Sequence, residues 1–334
     1  MRWQSLTSLA GCVLPIAVLV VLVGCASNTR LTRLPAPPPE PPKSITAVTV
    51  GDISCDPEDS HYEAGKGTAK KCHMLGTSNL ALSLKPDAVL LLGDNQYEKG
   101  NLNAYEQSYA NSWGRKELKD ISYPSIGNHE YNTEDASGYF DYFGTQAGER
   151  GKGYYSFNLG TWHLVALNSG GNDACKPVAC DQGSDQETWL RNDLAANTSA
   201  CTLAFWHRPL FTSGLDRDSV EVRPFWRDLY EVNADVVLNG HVHHYERFSP
   251  QNPDGQLDPE HGITQFTVGT GGRDLKGFFP VQENSQIRLS KWFGILKLEL
   301  GPNSYVWEFV AENGQILDSG SGQCHAKRQP TPSK

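Results

Sequence analysis

Five short segments each end a hydrophobic run in a side chain able to hold a cation. They are Val50-Gly51-Asp52, Leu92-Gly93-Asp94-Asn95-Gln96-Tyr97, Ile126-Gly127-Asn128-His129-Glu130, Phe205-Trp206-His207-Arg208-Pro209 and Leu238-Asn239-Gly240-His241-Val242-His243. In this order they supply two Asp, one Tyr, one Asn and three His, a ligand set for two adjacent cations. Such a pair promotes in-line displacement at phosphorus, because it steadies both the attacking and the leaving oxygen. Carboxylate, amide and phenolate oxygens with imidazole nitrogens suit iron, zinc or manganese, and the absence of thiolates from the set disfavours a structural zinc cage.

The elements that must position these groups are strands whose carboxyl ends carry them. Short apolar runs predict strands over 45–50, 88–92, 202–206 and 234–238, with a strand tip at 123–126. Helical spacing is read over 74–84, 102–113, 186–195 and 220–232, and a hairpin around Gly160-Thr161 joins 154–159 to 162–167. Beyond Gly262 the pattern turns to strands, over 264–268, 293–300, 304–310 and 315–318. Strand–helix alternation with polar residues at strand ends is how α/β proteins build active sites. The late strands predict a second sheet, so the expected fold is α/β, one domain of two packed mixed β-sheets flanked by helices.

The ordered set Gly-Asp, Gly-Asp-x-x-Tyr, Gly-Asn-His-Glu, a lone His, then Gly-His-x-His resembles the calcineurin-like metallophosphoesterases, and within them is most similar to the purple acid phosphatases, over about residues 45–312. Tyr97, three residues after Asp94, and the run His243-His244-Tyr245-Glu246-Arg247 favour that branch. The wider superfamily places a His two residues after the first Asp. Here Ser54 stands there, and Tyr97 compensates as ligand. The resemblance implies a four-layer α/β/β/α sandwich. Asp52, Asp94, Tyr97 and His243 would hold a ferric ion, and Asp94, Asn128, His207 and His241 a divalent zinc, manganese or iron, with Asp94 shared. It further implies that a hydroxide bridging the metals attacks phosphorus, with His129 protonating the leaving oxygen or stabilising the charge that builds on phosphate. The substrate implied is a small phosphate monoester. A phosphodiesterase or nucleotidase on the same metals, or a non-catalytic surface lipoprotein, is the alternative.

Several neighbours have plainer readings. Glu130 pairs with a ligand His or caps a turn, Arg208 clamps phosphate or forms a surface ion pair, and His244 orients a ligand or is merely structural. The extra substrate-binding His residues of the resembled family are absent from Pro209 to Asp216. His61, His73, His163, His261 and His325 read as structural or solvated, and Gly269-Thr270-Gly271-Gly272 as a tight turn beside the cleft.

The 334-residue chain, 38% hydrophobic and 20% charged, is long enough for a large core, and a net charge of −9 argues against a general nucleic-acid surface. An apolar stretch over 13–23 has the length of a signal-peptide core, and Val23-Gly24-Cys25 resembles a bacterial lipobox, implying that residues 1–24 are a leader and that Cys25 is lipidated. An uncleaved anchor or an ordinary secretory signal is the competing reading. A proline-rich tether fills 25–44, the catalytic domain 45–320 and a tail 321–334. The protein is thus expected to be exported and membrane-anchored through its lipid. Cys55, Cys72, Cys175, Cys180, Cys201 and Cys324 remain, an even number that suits disulfides in an oxidising compartment. Six cysteines allow fifteen pairings. The expected set is Cys55–Cys72 and Cys175–Cys180 as local loops, with Cys201–Cys324 tying the tail to a strand.

Overall fold

Alternate residues of the first two strands face opposite ways, and this sets the layering. The computed structural model describes residues 43–215 and 219–328, so the expected leader, Cys25 and nearly all of the tether lie outside the described residues. In chain order the first half contains β1 (Ile45–Val50), α1 (Met74–Ser83), β2 (Ala88–Leu92), α2 (Leu102–Gln107), α3 (Lys116–Lys119), β3 (Ser122–Ser125) and α4 (Ser137–Phe143). The second half contains β4 (Tyr155–Leu159), β5 (Trp162–Ala166), α5 (Asp185–Ala196), β6 (Cys201–Trp206), α6 (Arg223–Glu231), β7 (Val236–Asn239), β8 (Tyr245–Phe248), β9 (Thr264–Val268) and β10 (Ser285–Leu289). Three last strands, β11 (Gly294–Leu300), β12 (Ser304–Ala311) and β13 (Ile316–Gln323), return to the first half.

The first sheet runs β13-β12-β11-β1-β2-β3 and the second β10-β8-β9-β7-β6-β5-β4. β1, β2 and β3 are mutually parallel, as are β5, β6, β7 and β9. All ligand-bearing strand ends therefore point the same way within each sheet. Ala47, Leu90 and Leu92 meet Leu203, Phe205 and Phe266 between the sheets. Val48, Val50, Val89 and Leu91 face outward onto Ala81, Tyr105 and Phe140 of α1, α2 and α4. On the far side Val165, Ala204 and Trp206 pack against Leu190, Phe225 and Trp226 of α5 and α6. The result is the expected α/β/β/α sandwich. Strands buried on both faces explain why β2 reads Ala-Val-Leu-Leu-Leu rather than alternating, and each such aliphatic side chain stabilises by about 1.5–3 kcal/mol.

Some expectations needed correction. The helix over 102–113 stops at Gln107, with a separate 3-10 turn over Tyr109–Asn111, and the 220–232 helix begins as a 3-10 turn before α6, whose Pro224 sits in the first turn. Helices α3 and α4 and strands β8 and β10 are additional, β13 continues five residues past the expected 318, and β11, β12 and β13 extend the first sheet rather than forming the second. The three disulfides are those expected, Cys55–Cys72, Cys175–Cys180 and Cys201–Cys324. Among the described residues no helix is long and apolar enough to cross a membrane.

Candidate metal centre

Asp52, Asp94 and Asn128 follow the ends of β1, β2 and β3, while His207 follows β6 and His241 and His243 follow β7. The first sheet thus contributes every oxygen donor, Tyr97 included, and the second every nitrogen donor. Asp52, Asp94 and His241 all have left-handed backbone, with φ of 59°, 48° and 71°. Non-glycine residues rarely adopt this, and its cost is tolerated where the surroundings enforce it. The neighbouring glycines serve mainly to permit close approach. A Cβ on Gly240 would lie 2.8 Å from Asp52 Oδ2, and one on Gly127 would lie 2.2 Å from the Asp94 amide nitrogen.

Each carboxylate divides its oxygens between backbone and site. Asp52 Oδ2 accepts from the His241 amide at 2.8 Å, and Asp94 Oδ1 from the His129 amide at 2.8 Å. Asp52 Oδ1 and Asp94 Oδ2 remain for the centre. At one locus the Tyr97 hydroxyl lies 2.8 Å from Asp52 Oδ1, 3.0 Å from Asp94 Oδ2 and 3.0 Å from His243 Nε2. At the other, His207 Nε2 lies 3.2 Å from Asp94 Oδ2, 3.1 Å from Asn128 Oδ1 and 3.2 Å from His241 Nδ1. Asp94 Oδ2 belongs to both.

Tautomers follow from the outer partners. His207 Nδ1 donates to the Leu92 carbonyl at 2.8 Å and His243 Nδ1 to the Asp274 carboxylate, so in the neutral rings both Nε2 lone pairs point inward. Lone pairs of carboxylate, amide and imidazole facing one another need a positive charge between them. The same surroundings favour protons on His207 and His243. Burial disfavours charged imidazoles, yet Asp94 holds His207 above its ordinary pKa, and Asp52 with Asp274 pushes His243 up to about 9. Burial, then the charges of Asp52 and Asp94, keep the Tyr97 phenol protonated, well above its usual value. Burial would raise Asp94, but His207 and His129 hold it well below the usual carboxylate range. Arg208 Nη1 lies 2.9 Å from His241 Nε2, and His241 Nδ1 faces His207 Nε2. The donor set fits two cations in place of these protons.

His129 stands at the rim. Its Nδ1 donates to the Glu98 carbonyl at 2.7 Å, its ring lies 4.2 Å from that of Tyr97, and its Nε2 is 4.0 Å from Asp94 Oδ2. A cleft of about 500 Å³ lies above the centre, and Arg208, Arg273 and Lys276 line it alongside Asn172.

Glu130 neither pairs with a ligand His nor merely caps a turn. Its buried carboxylate accepts from the amides of Asp94, Asn95, Gln96 and Gly127 and from the Tyr105 hydroxyl. Burial and the Asp94 charge push its carboxyl up to about 7, and the amides pull the other way. The Arg208 guanidinium binds the carbonyls of Gly171 and Asn172 at the cleft edge. His244 points away from the centre, to Glu246 at 3.3 Å and the Phe278 ring at 4.4 Å. Of the other histidines, His73 pairs with Glu312, His163 with Asp193 and His325 with Asp235. Asp274 and Arg273 were not singled out from sequence. They follow the Gly-rich turn, which packs on the first ligand loop through Gly271 N to Gly51 O at 3.0 Å and Arg273 N to Asp52 O at 3.0 Å. The charged pair directly after that turn was the available signal.

The model of the family described as "Calcineurin-like phosphoesterase" matches residues 61–245, which hold every ligand candidate except Asp52. "Purple acid phosphatase 15" of Arabidopsis thaliana is 29% identical over 226 residues, covering 57% of this chain and 41% of that protein. "Purple acid phosphatase 13" of the same plant is 35% identical over 125 residues, covering 36% and 21%. The chain therefore spans less than half the length of these curated relatives. Among solved structures, a purple acid phosphatase from yellow lupin (Lupinus luteus) seeds is similar with a TM-score of 0.68 at 19% identity, covering 85% of this chain and 54% of the other, a likeness of fold.

Proposed function

Because this chain belongs to the calcineurin-like phosphoesterase family, we propose that it is an exported two-metal enzyme that hydrolyses phosphate monoesters. The observation that carries the reading is the convergence of oxygen and nitrogen donors on two loci that share Asp94 Oδ2. Asp52, Asp94, Tyr97 and His243 hold one cation, ferric iron by preference for the phenolate. Asp94, Asn128, His207 and His241 hold a divalent partner. When bound, the pair supplies Lewis acidity toward the phosphoryl oxygens and lowers the pKa of water.

The protein's own groups do the rest. Arg208, Arg273 and Lys276 draw the phosphate dianion into the cleft and orient it. Water attacks phosphorus in line, the bond from phosphorus to the ester oxygen breaks, and the departing alkoxide takes a proton. His129 is placed to give it, because the Glu98 carbonyl fixes its Nδ1–H and turns Nε2 to the cleft. Inorganic phosphate and an alcohol are the products.

Three disulfides support a protein that folds in an oxidising compartment. The lipobox-like Cys25, the leader before it, the tether over 25–44, the catalytic domain over 45–320 and the tail over 321–334 complete the proposal of a membrane-tethered enzyme.

The test is the initial rate of hydrolysis of p-nitrophenyl phosphate and of bis(p-nitrophenyl) phosphate against pH, on protein lacking residues 1–25. A chelator-sensitive rate on the monoester, restored by added metal, is the expected result. Hydrolysis of the diester alone would replace the monoester reading, and no rate on either with metals bound would end the enzymatic one.

A further inference from the structure

A second cavity, about 960 Å³, adjoins the cleft, and Asp274 lines both. The wall between them is backbone: Lys71 and Asp274 form an antiparallel bridge, and the Cys72 amide donates to the Gly272 carbonyl at 2.6 Å. The Phe293 ring stacks on His73 at 4.0 Å with an interplanar angle of 15°. His73 is itself held by Glu312 at 2.6 Å and by the Thr68 carbonyl at 2.6 Å, so this ring pair is a fixed platform. Beside it Trp292 is 37% exposed and makes no ring contact among the described residues.

The charges of this cavity are unevenly committed. Its carboxylates are both engaged, Glu312 with His73 and Asp274 with His243. Lys71 is engaged too, with Asp59 at 2.7 Å. The exposed ammonium groups of Lys70 and Lys291 have no ion-pair partner among the described residues. An open indole, a fixed ring platform and two cations with no ion-pair partner among the described residues therefore line a cavity that adjoins the cleft at Asp274.

We propose that this cavity receives the departing portion of the phosphoryl donor, and that this portion is a planar aromatic ring carrying a second anionic group, as in a nucleoside diphosphate. The ring stacks on Trp292, since any base offers a π-face, and the second anion meets Lys70 and Lys291. The inference rests on the phosphoesterase reading of the adjoining cleft. It explains discrimination among donors that the metal centre treats alike.

The test compares kcat/KM for adenosine diphosphate and for phenyl phosphate, which has the ring without the second anion. Lys70→Ala with Lys291→Ala should lower the value for adenosine diphosphate about tenfold and leave phenyl phosphate within about twofold, because one lost interaction of this kind is worth about a decade. Trp292→Ala should act on adenosine diphosphate in the same direction. A parallel fall for both donors, or no change for either, would overturn the subsite. Should the wild-type protein hydrolyse neither donor, the phosphoesterase reading is what has failed. Calorimetric titration with adenosine diphosphate then decides the subsite alone: weaker binding by the double variant retains it, and equal binding removes it.

Discussion

The amide of Asp94 donates to Glu130 Oε2 at 3.0 Å, and the amide of Gly127 donates to the same oxygen at 2.7 Å. One buried carboxylate thereby fixes the loop after β2 to the loop after β3, and with them the spacing of Asp94 and Asn128. Replacement by Gln puts an N–H₂ where five donors converge. Glu130→Gln should lower both metal affinity and kcat/KM about tenfold or more, with KM changed less than kcat. Metal analysis after dialysis and steady-state kinetics check this.

Asp274 orients His243 from outside the ligand set. Asp274→Asn should reduce metal affinity about 10–100-fold, as is usual when the partner of a ligating imidazole is removed, and excess metal should restore turnover. Competition with a chromogenic chelator gives the affinity directly.

His129→Ala should leave metal content unchanged and make the rate depend on the leaving group. Loss of a proton donor matters most for alcohols that depart poorly, so the fall should be about 10²–10⁴-fold on an alkyl phosphate and much smaller on p-nitrophenyl phosphate. Equal losses on both would assign His129 to binding the phosphoryl group instead.

Between α5 and α6, Asp228 is buried beside Glu187, with Arg191 3.5 Å away. Burial, then the charge of Glu187, pushes its carboxyl up to about 8. The folded state therefore holds a proton that the unfolded chain releases near pH 4, and stability falls as pH rises through that window toward 8. Asp228→Asn should melt higher than the wild type at pH 8, with the difference shrinking toward pH 4, as followed by calorimetry.

Cys201 and Cys324 close a separation of 123 residues. Replacing both with Ala should cost about 4–5 kcal/mol if chain entropy governs, measured by urea denaturation. The ligand loops lie elsewhere, so kcat below the melting transition should hold.

Ligand loops were legible in the sequence because each combines a run buried on both faces with a glycine and a coordinating side chain, as in Leu92-Gly93-Asp94. Strand β8 was hidden because Tyr-Glu-Arg-Phe buries its Glu and half-buries its Arg, so period-2 patterning fails. Edge strand β10 is partly solvated along its length, and its apolar face is only Ile287 and Leu289, too short to read. Helix α4 packs three of its aromatics, Tyr139, Phe140 and Phe143, into the core and leaves little polar periodicity. Asp274 escaped because its importance comes from His243, 31 residues earlier and adjacent only once β8 and β9 have paired. The role of Glu130 is not legible in the sequence, since four of its five donors are backbone amides, which carry no signature in the side-chain alphabet.

Oxygen donors on one sheet and nitrogen donors on the other make the centre a gauge of inter-sheet registry. Neither sheet holds a complete site. A slide of one sheet over the other by a fraction of a residue would separate Asp94 from His207 and Tyr97 from His243 together. Occupancy by cations would thus act as a rivet through the seam, stiffening a hydrophobic interface that has no direction of its own. The same atoms that would activate water would hold the two halves of the molecule in alignment.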